Sequence, residues 1–349
     1  MLGVLIIPTG ISAEIGGHAG DGNPVAKLIA SCCDKLIVHP NVVNAADINE
    51  MPENCLYVEG SSLDRFLEGQ LSLEERTRPN KVLVVANAPV CAQTINAVNA
   101  ARATIGLDVE LVELETPLQM IASIKTGIAS GEVIGAEALI EQIKDYDFDA
   151  LALHTPIHVP REVALSYYRH GGINPWGGVE AIASRKISEA LHKPVAHAPR
   201  ERDEVQQDDE LYKIFDEVVD PRIAPEAVSV CYLHCVLKGL HRAPLLRNVT
   251  GKGLHVRDVD FMVSPSRCFG RPHKACIEFG IPIIVVKENK TCLQQACPGA
   301  IVVENYWEAV GVIMSWKAGI HRDSVRRPLN KLLPLMHHPS YYQVPARSQ

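Results

Sequence analysis

Short runs of Val, Ile, Leu and Ala alternate along the chain with longer stretches of helical period. Ten runs read as strands: Leu2–Ile7, Lys35–Val38, Cys55–Val58, Lys81–Ala86, Val109–Leu114, Ala150–Leu153, Pro194–Ala196, Val259–Val263, Pro282–Val286 and Ala300–Val303. Each is apolar or β-branched and bounded by Gly, Pro, Asn or Asp. Between them the pattern predicts helices over Val25–Cys33, Ser62–Glu68, Ala92–Ile105, Pro117–Ala129, Ala136–Lys144 and Val179–Leu191. Four more are predicted over Asp209–Val218, Pro225–Gly239, His273–Phe279 and Trp307–Ala318. Strands that are apolar on both faces and alternate with helices imply a mostly parallel sheet covered on both sides, an α/β fold of Rossmann-like type.

The strands also fall into two sets with one plan. Ile7-Pro8-Thr9 leads into His18-Ala19-Gly20-Asp21-Gly22-Asn23-Pro24, then a helix, then a strand ending at His39-Pro40. Leu153-His154-Thr155 leads into His170-Gly171-Gly172-Ile173-Asn174-Pro175, a helix, and a strand ending at His197-Ala198-Pro199. Further on, Ala88-Pro89-Val90-Cys91 matches Ser264-Pro265-Ser266-Arg267-Cys268. Three matches in one order point to a divergent internal duplication. They suggest two α/β halves, 1–146 and 147–320, with a ligand cleft between them and an extended arm over 321–349.

Composition narrows the function classes. Of 349 residues, 47% are hydrophobic and 21% charged, which is ordinary for a globular protein with a full core. The balance of 34 basic against 41 acidic residues gives a net charge of −7, and no basic run is interleaved with aromatics, so nucleic acid is a poor partner. No apolar run is long enough to span a bilayer, and Met1–Pro8 lacks a basic signal region. The expectation is a cytoplasmic protein with a small-molecule ligand and no membrane partner, with the C-terminal arm a candidate for homo-oligomer assembly. Ten cysteines without a CxxC pair are expected as reduced core thiols.

Ligands of open α/β sheets bind at the carboxyl ends of the strands, where this chain is rich in histidine. In the first Gly-rich loop, Gly17, Gly20 and Gly22 let backbone amides turn inward, with Asn23 placed to cap the next helix. Asp21 would repel an anion, so His18, Asp21 and His39 form a candidate set for a divalent metal, the one cofactor suggested here. Asn41, Asn174, Trp176 and Gly177 are candidate substrate contacts, and Arg200 or Arg267 would clamp a carboxylate or phosphate. His39, His154 and His197 are candidate acid/base groups. Cys268, between Arg267 and Arg271 before a helix, is expected to have a lowered pKa and to be a candidate nucleophile. With Cys91 it forms an opposed pair similar in layout to that of cofactor-independent amino-acid racemases, although their Cys-Asn-Thr run is absent.

The runs Gly17–Pro24, His39–Asn44, Asn174–Ala181 and Ser266–Gly270 resemble a conserved bacterial family of unknown function, mainly cyanobacterial with plant relatives. The resemblance extends over nearly the whole chain and implies no particular activity. Three readings stay open: an enzyme with isomerase, lyase or hydrolase chemistry on a small polar or anionic metabolite, a non-catalytic metabolite-binding or regulatory protein, and a structural assembly protein. The two-cysteine racemase is a narrower form of the first.

Overall fold

In a computed structural model, which describes residues 1–8, 10–16, 21–42, 51–199, 232–329 and 331, the chain forms two α/β units. The larger is built on a six-stranded, wholly parallel sheet. Its strands are β1 (Leu2–Leu5), β2 (Lys35–Val38), β3 (Cys55–Tyr57), β13 (Val259–Pro265), β14 (Ile283–Val286) and β15 (Ile301–Val303), in the order β15-β14-β13-β1-β2-β3. The smaller unit has a four-stranded parallel sheet of β5 (Lys81–Asn87), β6 (Asp108–Leu114), β9 (Ala150–His154) and β11 (Val195–His197), in the order β11-β9-β5-β6. All ten expected strands are present.

Parallel strands need crossovers, and the helices that supply them cover both faces of each sheet. On one face of the larger sheet, α1 (Asn23–Ala30) and α9 (Tyr306–Lys317) bury Val25, Ile29, Val312 and Ile313. On the other, α2 (Gly60–Leu67) and α8 (Arg271–Glu278) bury Leu63, Phe66 and Cys276. The smaller sheet is sandwiched in the same way. Helices α4 (Ala136–Ile143) and α6 (Gly177–Leu191) cover one face, and α3 (Ala92–Ile105) and α7 (Tyr232–Arg242) cover the other. A further helix, α5 (Arg161–His170), precedes α6.

One expected helix is a hairpin. Residues 117–129 form all of β7 (Gln119–Lys125) and the start of β8 (Ile128–Ile134), paired antiparallel from Gln119↔Ile134 to Lys125↔Ile128. The two turn residues, Thr126 and Gly127, both have positive φ (50° and 76°), the conformation that matches strand twist in a two-residue turn. Met120 and Ala122 are buried while Gln119 and Ile121 are exposed, a period of two on one covered face. A two-residue strand, β10 (Ile157–His158), extends this sheet beside β7.

A split at residue 146 does not separate the two units, because each sheet takes strands from both sides of it. The chain leaves the larger unit between β4 (Ser72–Glu74) and β5, and returns between α7 and β12 (Leu245–Arg247). Strands β4 and β12 pair antiparallel at this double crossing. Asn80 fastens it: its backbone N–H donates to His241 and its side chain to the carbonyls of Leu240 and Ala243, both at 2.8 Å.

The two sheets nevertheless share an order. Along the larger sheet β14-β13-β1-β2 are neighbours; along the smaller, β6-β5-β9-β11. This is the correspondence expected from the sequence, with β1 matching β9, β2 matching β11, and β13 matching β5. Each sheet therefore combines a βαβ piece from the first part of the chain with one from the second. No helix in the described residues is long and apolar enough to cross a membrane. The arm over 321–349 lies mostly outside the described residues.

Candidate functional site

The carboxyl ends of the two sheets meet at a tight seam. Gly10, following β1, sits against the hairpin and the start of α6: a Cβ there would lie 2.8 Å from the Ala129 side chain and 3.7 Å from the Gly178 amide. A Cβ on Gly178 would come within 2.2 Å of the Ala129 carbonyl carbon, so only glycine admits this approach. Cys292, beyond β14, closes the seam, with its N–H on the Ile11 carbonyl (2.8 Å) and its Sγ 3.2 Å from the Gly127 carbonyl.

On the smaller-sheet side, His197 ends β11 with its side chain fully enclosed. Its Nε2 lies 2.9 Å from the Thr155 carbonyl and 3.2 Å from the Thr155 hydroxyl, so it can donate to the first or accept from the second. Its Nδ1 lies 3.0 Å from Glu180 Oε1. A carboxylate only accepts, so Nδ1–H donates to it. Glu180 is in the first turn of α6, close in the chain to Gly178, and its side chain is 26% exposed. The enclosed imidazole thus reaches the surface through a carboxylate. His154, on the neighbouring strand β9, donates from Nδ1 to the Ala198 carbonyl (3.0 Å).

The α6 start is organised by Asn174, whose Oδ1 accepts from the amides of Trp176 (3.0 Å) and Gly177 (3.2 Å). Trp176 packs on Tyr167 and Tyr168 of α5, with ring centroids 5.7 and 5.5 Å away, so it anchors the α5–α6 corner.

On the larger-sheet side the geometry is different. His39, after β2, accepts the Asn41 N–H at Nδ1 (3.2 Å), which leaves hydrogen on Nε2. Burial pushes its pKa down to about 4, so the ring is neutral at pH 7. Nε2 lies against the start of α2, where a Cβ on Gly60 would approach it to 2.9 Å. Glu59 caps α2, accepting from the amides of Ser61 (3.1 Å) and Ser62 (2.8 Å) and from the Ser62 hydroxyl (2.6 Å). Burial still outweighs these bonds and raises its pKa to about 7.

The expected metal set does not fit in its histidine member. Coordination through Nε2 needs a lone pair there, and the Asn41 contact puts a hydrogen in its place. Asp21 Oδ1 accepts the Gly16 N–H at 2.8 Å and holds the loop closed. Among the described residues no cluster of three or more His, Cys, Asp or Glu side chains is placed to hold an ion. Gly22 packs against the β2 exit loop, where a Cβ would meet the Val42 carbonyl oxygen at 2.4 Å, and Asn23 is buried at the start of α1. His18, Gly17, Gly20 and Arg200 lie outside the described residues.

Cys268 also departs from expectation. It is buried, its Sγ lies 3.0 Å from the Pro265 carbonyl, and burial pushes its pKa up to about 12. Arg267 turns away to Gln294 (2.7 Å) from a positive-φ backbone. Beside the thiol, His273 accepts the Gly270 N–H at Nδ1 (3.2 Å) and so donates from Nε2 to Ser264 Oγ (2.8 Å). A serine that receives a hydrogen bond from the ring cannot give it its own proton, so this pair ties the β13–α8 turn together rather than forming a nucleophile. Cys91, the counterpart after β5, lies 3.2 Å from Thr94 Oγ1.

Glu180 and Glu59 were not singled out from the sequence. Glu180 had one signal, its place inside the Asn174–Ala181 run. Glu59 had another, a carboxylate two and three residues before the serines it caps.

Comparison with known proteins gives a family and no activity. A protein of Synechococcus sp. named as an uncharacterized lipoprotein is 33% identical over 339 residues, 91% of each chain. No solved structure matches. Residues 2–326 match the family model described as "Protein of unknown function (DUF3326)", and it is to this family that the chain belongs.

Proposed function

We propose that the protein is an acid–base enzyme acting on a small polar or anionic metabolite where the carboxyl ends of the two sheets meet. The observation that carries this reading is the Glu180–His197–Thr155 relay: an enclosed imidazole fixed in one orientation between a partly exposed carboxylate at Nδ1 and the Thr155 carbonyl and hydroxyl at Nε2. That arrangement can take a proton from a substrate or return one. His39 supplies the complementary group, a neutral imidazole N–H beside a helix start, suited to polarising a substrate oxygen without transferring full charge. Isomerase, lyase and hydrolase chemistry all use such a pair. The two-thiol racemase is the weaker form of this reading, since the Cys268 thiol is buried and protonated.

A cytoplasmic setting is part of the proposal and is supported by nine free thiols among the described residues. The relative's name, lipoprotein, favours membrane attachment instead, and cell fractionation decides between them.

The test is a panel of carboxylate and phosphoryl metabolites incubated with the protein in D2O and followed by NMR. Deuterium entry or turnover that disappears in Glu180→Gln is the expected result. Saturable binding without exchange or turnover in the wild type would instead favour a non-catalytic metabolite-binding protein.

A further inference from the structure

The double crossing between the units lies at the amino ends of the strands, opposite the seam, and it encloses a cleft of about 260 Å³. Arg76 and Arg78 come from the first crossing and Arg247 from β12 after the second; His192, Lys193 and Asp149 come from the smaller unit. Four permanent cations thus face one carboxylate in a chain whose net charge is −7. Asp149 is taken by Arg76 (2.7 Å), and Arg247 pairs with Glu74 (2.5 Å). Arg78 is exposed and has no ion pair among the described residues.

Behind the cleft stands Arg65 of α2, which is 8% exposed. Its Nη1 is buried without a hydrogen-bond partner, and its Nη2 is 3.3 Å from His192 Nδ1. Positive charge concentrated in one cleft is costly unless an anion offsets it, and Arg65 adds to it from behind His192.

We propose that this cleft binds a phosphate-class oxyanion, either free or as the phosphoryl group of a metabolite, and that the anion bridges the two units at their crossing. Arg78 presents a guanidinium fork suited to tetrahedral oxyanions, while Arg247 and Lys193 add positive charge to the lining and keep their bonds to Glu74 and to the Phe148 carbonyl. The site is separate from the seam and uses none of its residues.

Isothermal titration of the full chain with inorganic pyrophosphate, and separately with inorganic phosphate, tests the site. Saturable binding that weakens with added salt is expected, with a loss of about tenfold or more in Arg78→Glu and a smaller loss in Arg78→Gln. Lys125→Glu, an exposed change on the hairpin, should leave it intact. Tighter binding of pyrophosphate would indicate a phosphoryl-bearing ligand, and equal binding free phosphate. No saturable binding to folded wild type, equal affinity in Arg78→Glu, or equal loss in Lys125→Glu would overturn the proposal. None of these outcomes depends on turnover at Glu180.

Discussion

His39 and His197 stand at equivalent strand ends of two sheets with the same strand order, yet they are held in opposite ways. At His39 a backbone amide donates to Nδ1 and burial keeps the ring neutral. At His197 a carboxylate faces Nδ1, while the carbonyl and hydroxyl of Thr155 face Nε2, so the ring donates from Nδ1 and has partners for a proton on either side of Nε2. Position in the fold brings an imidazole to the site, and the partner of Nδ1 decides what it does there. A donor partner makes a fixed N–H; an acceptor partner makes a proton carrier.

The largest effect should come from breaking the acceptor partner. Glu180→Gln keeps the shape but removes the carboxylate. Turnover is expected to fall about a hundredfold or more, with the thermal midpoint nearly unchanged and the pH profile altered. A parallel loss of turnover and stability would make Glu180 only a packing residue. At the other histidine, His39→Gln should cost less, about tenfold in kcat, because it keeps an N–H donor.

The pH dependence of stability sharpens the same contrast. Glu59 is protonated more readily in the folded chain, its pKa rising from 4.5 to about 7. Its contribution is therefore full below pH 4.5 and is lost as pH rises through 7, by roughly 3 kcal/mol at most. His39 has the opposite sign: its folded pKa is lowered from 6.5 to about 4, so its contribution is present above pH 6.5 and lost as pH falls toward 4. Urea unfolding at pH 5 and pH 8 should show Glu59→Gln reducing the high-pH loss. An unchanged difference would mean that Glu59 stays ionised.

Gly178→Ala tests whether the two ends share one seam. Its methyl would enter the Ala129 backbone, with an expected cost of about 1–3 kcal/mol in unfolding free energy. Wild-type stability in this variant would show that the seam opens freely. The smallest effect is chemical: iodoacetamide at pH 8 should label exposed Cys292 well before buried Cys268, as read by peptide mass spectrometry.

Much of this contrast was legible in the chain. The His39-Pro40 and His197-Ala198-Pro199 strand ends, and the paired Pro89–Cys91 and Pro265–Cys268 turns, signalled the shared strand order. The boundary was not legible, because which βαβ piece joins which sheet depends on pairings such as β1 with β13, far apart in sequence. The hairpin was misread because Ile121, Ile124 and Ile128 mimic a helical stripe, although all three are exposed. Cys268 was misread for a related reason: Arg267 and Arg271 are close in sequence but turn outward, while burial sets the thiol. Tautomers of the histidines follow from single contacts to Asn41, Glu180 and Gly270, which no spacing rule supplies.

The crossing fastened by Asn80 has a mechanical consequence. It joins the units at the amino ends of the strands, while the seam lies at the carboxyl ends, so the molecule is built like tongs with the pivot at one end and the jaws at the other. Strand β5, seven residues long, sets an arm of roughly 20 Å. A turn of only about 5° at the pivot would shift the jaws by about 2 Å on that arm, and the Arg185–Asp64 contact between α6 and α2 (3.5 Å) would stretch with it.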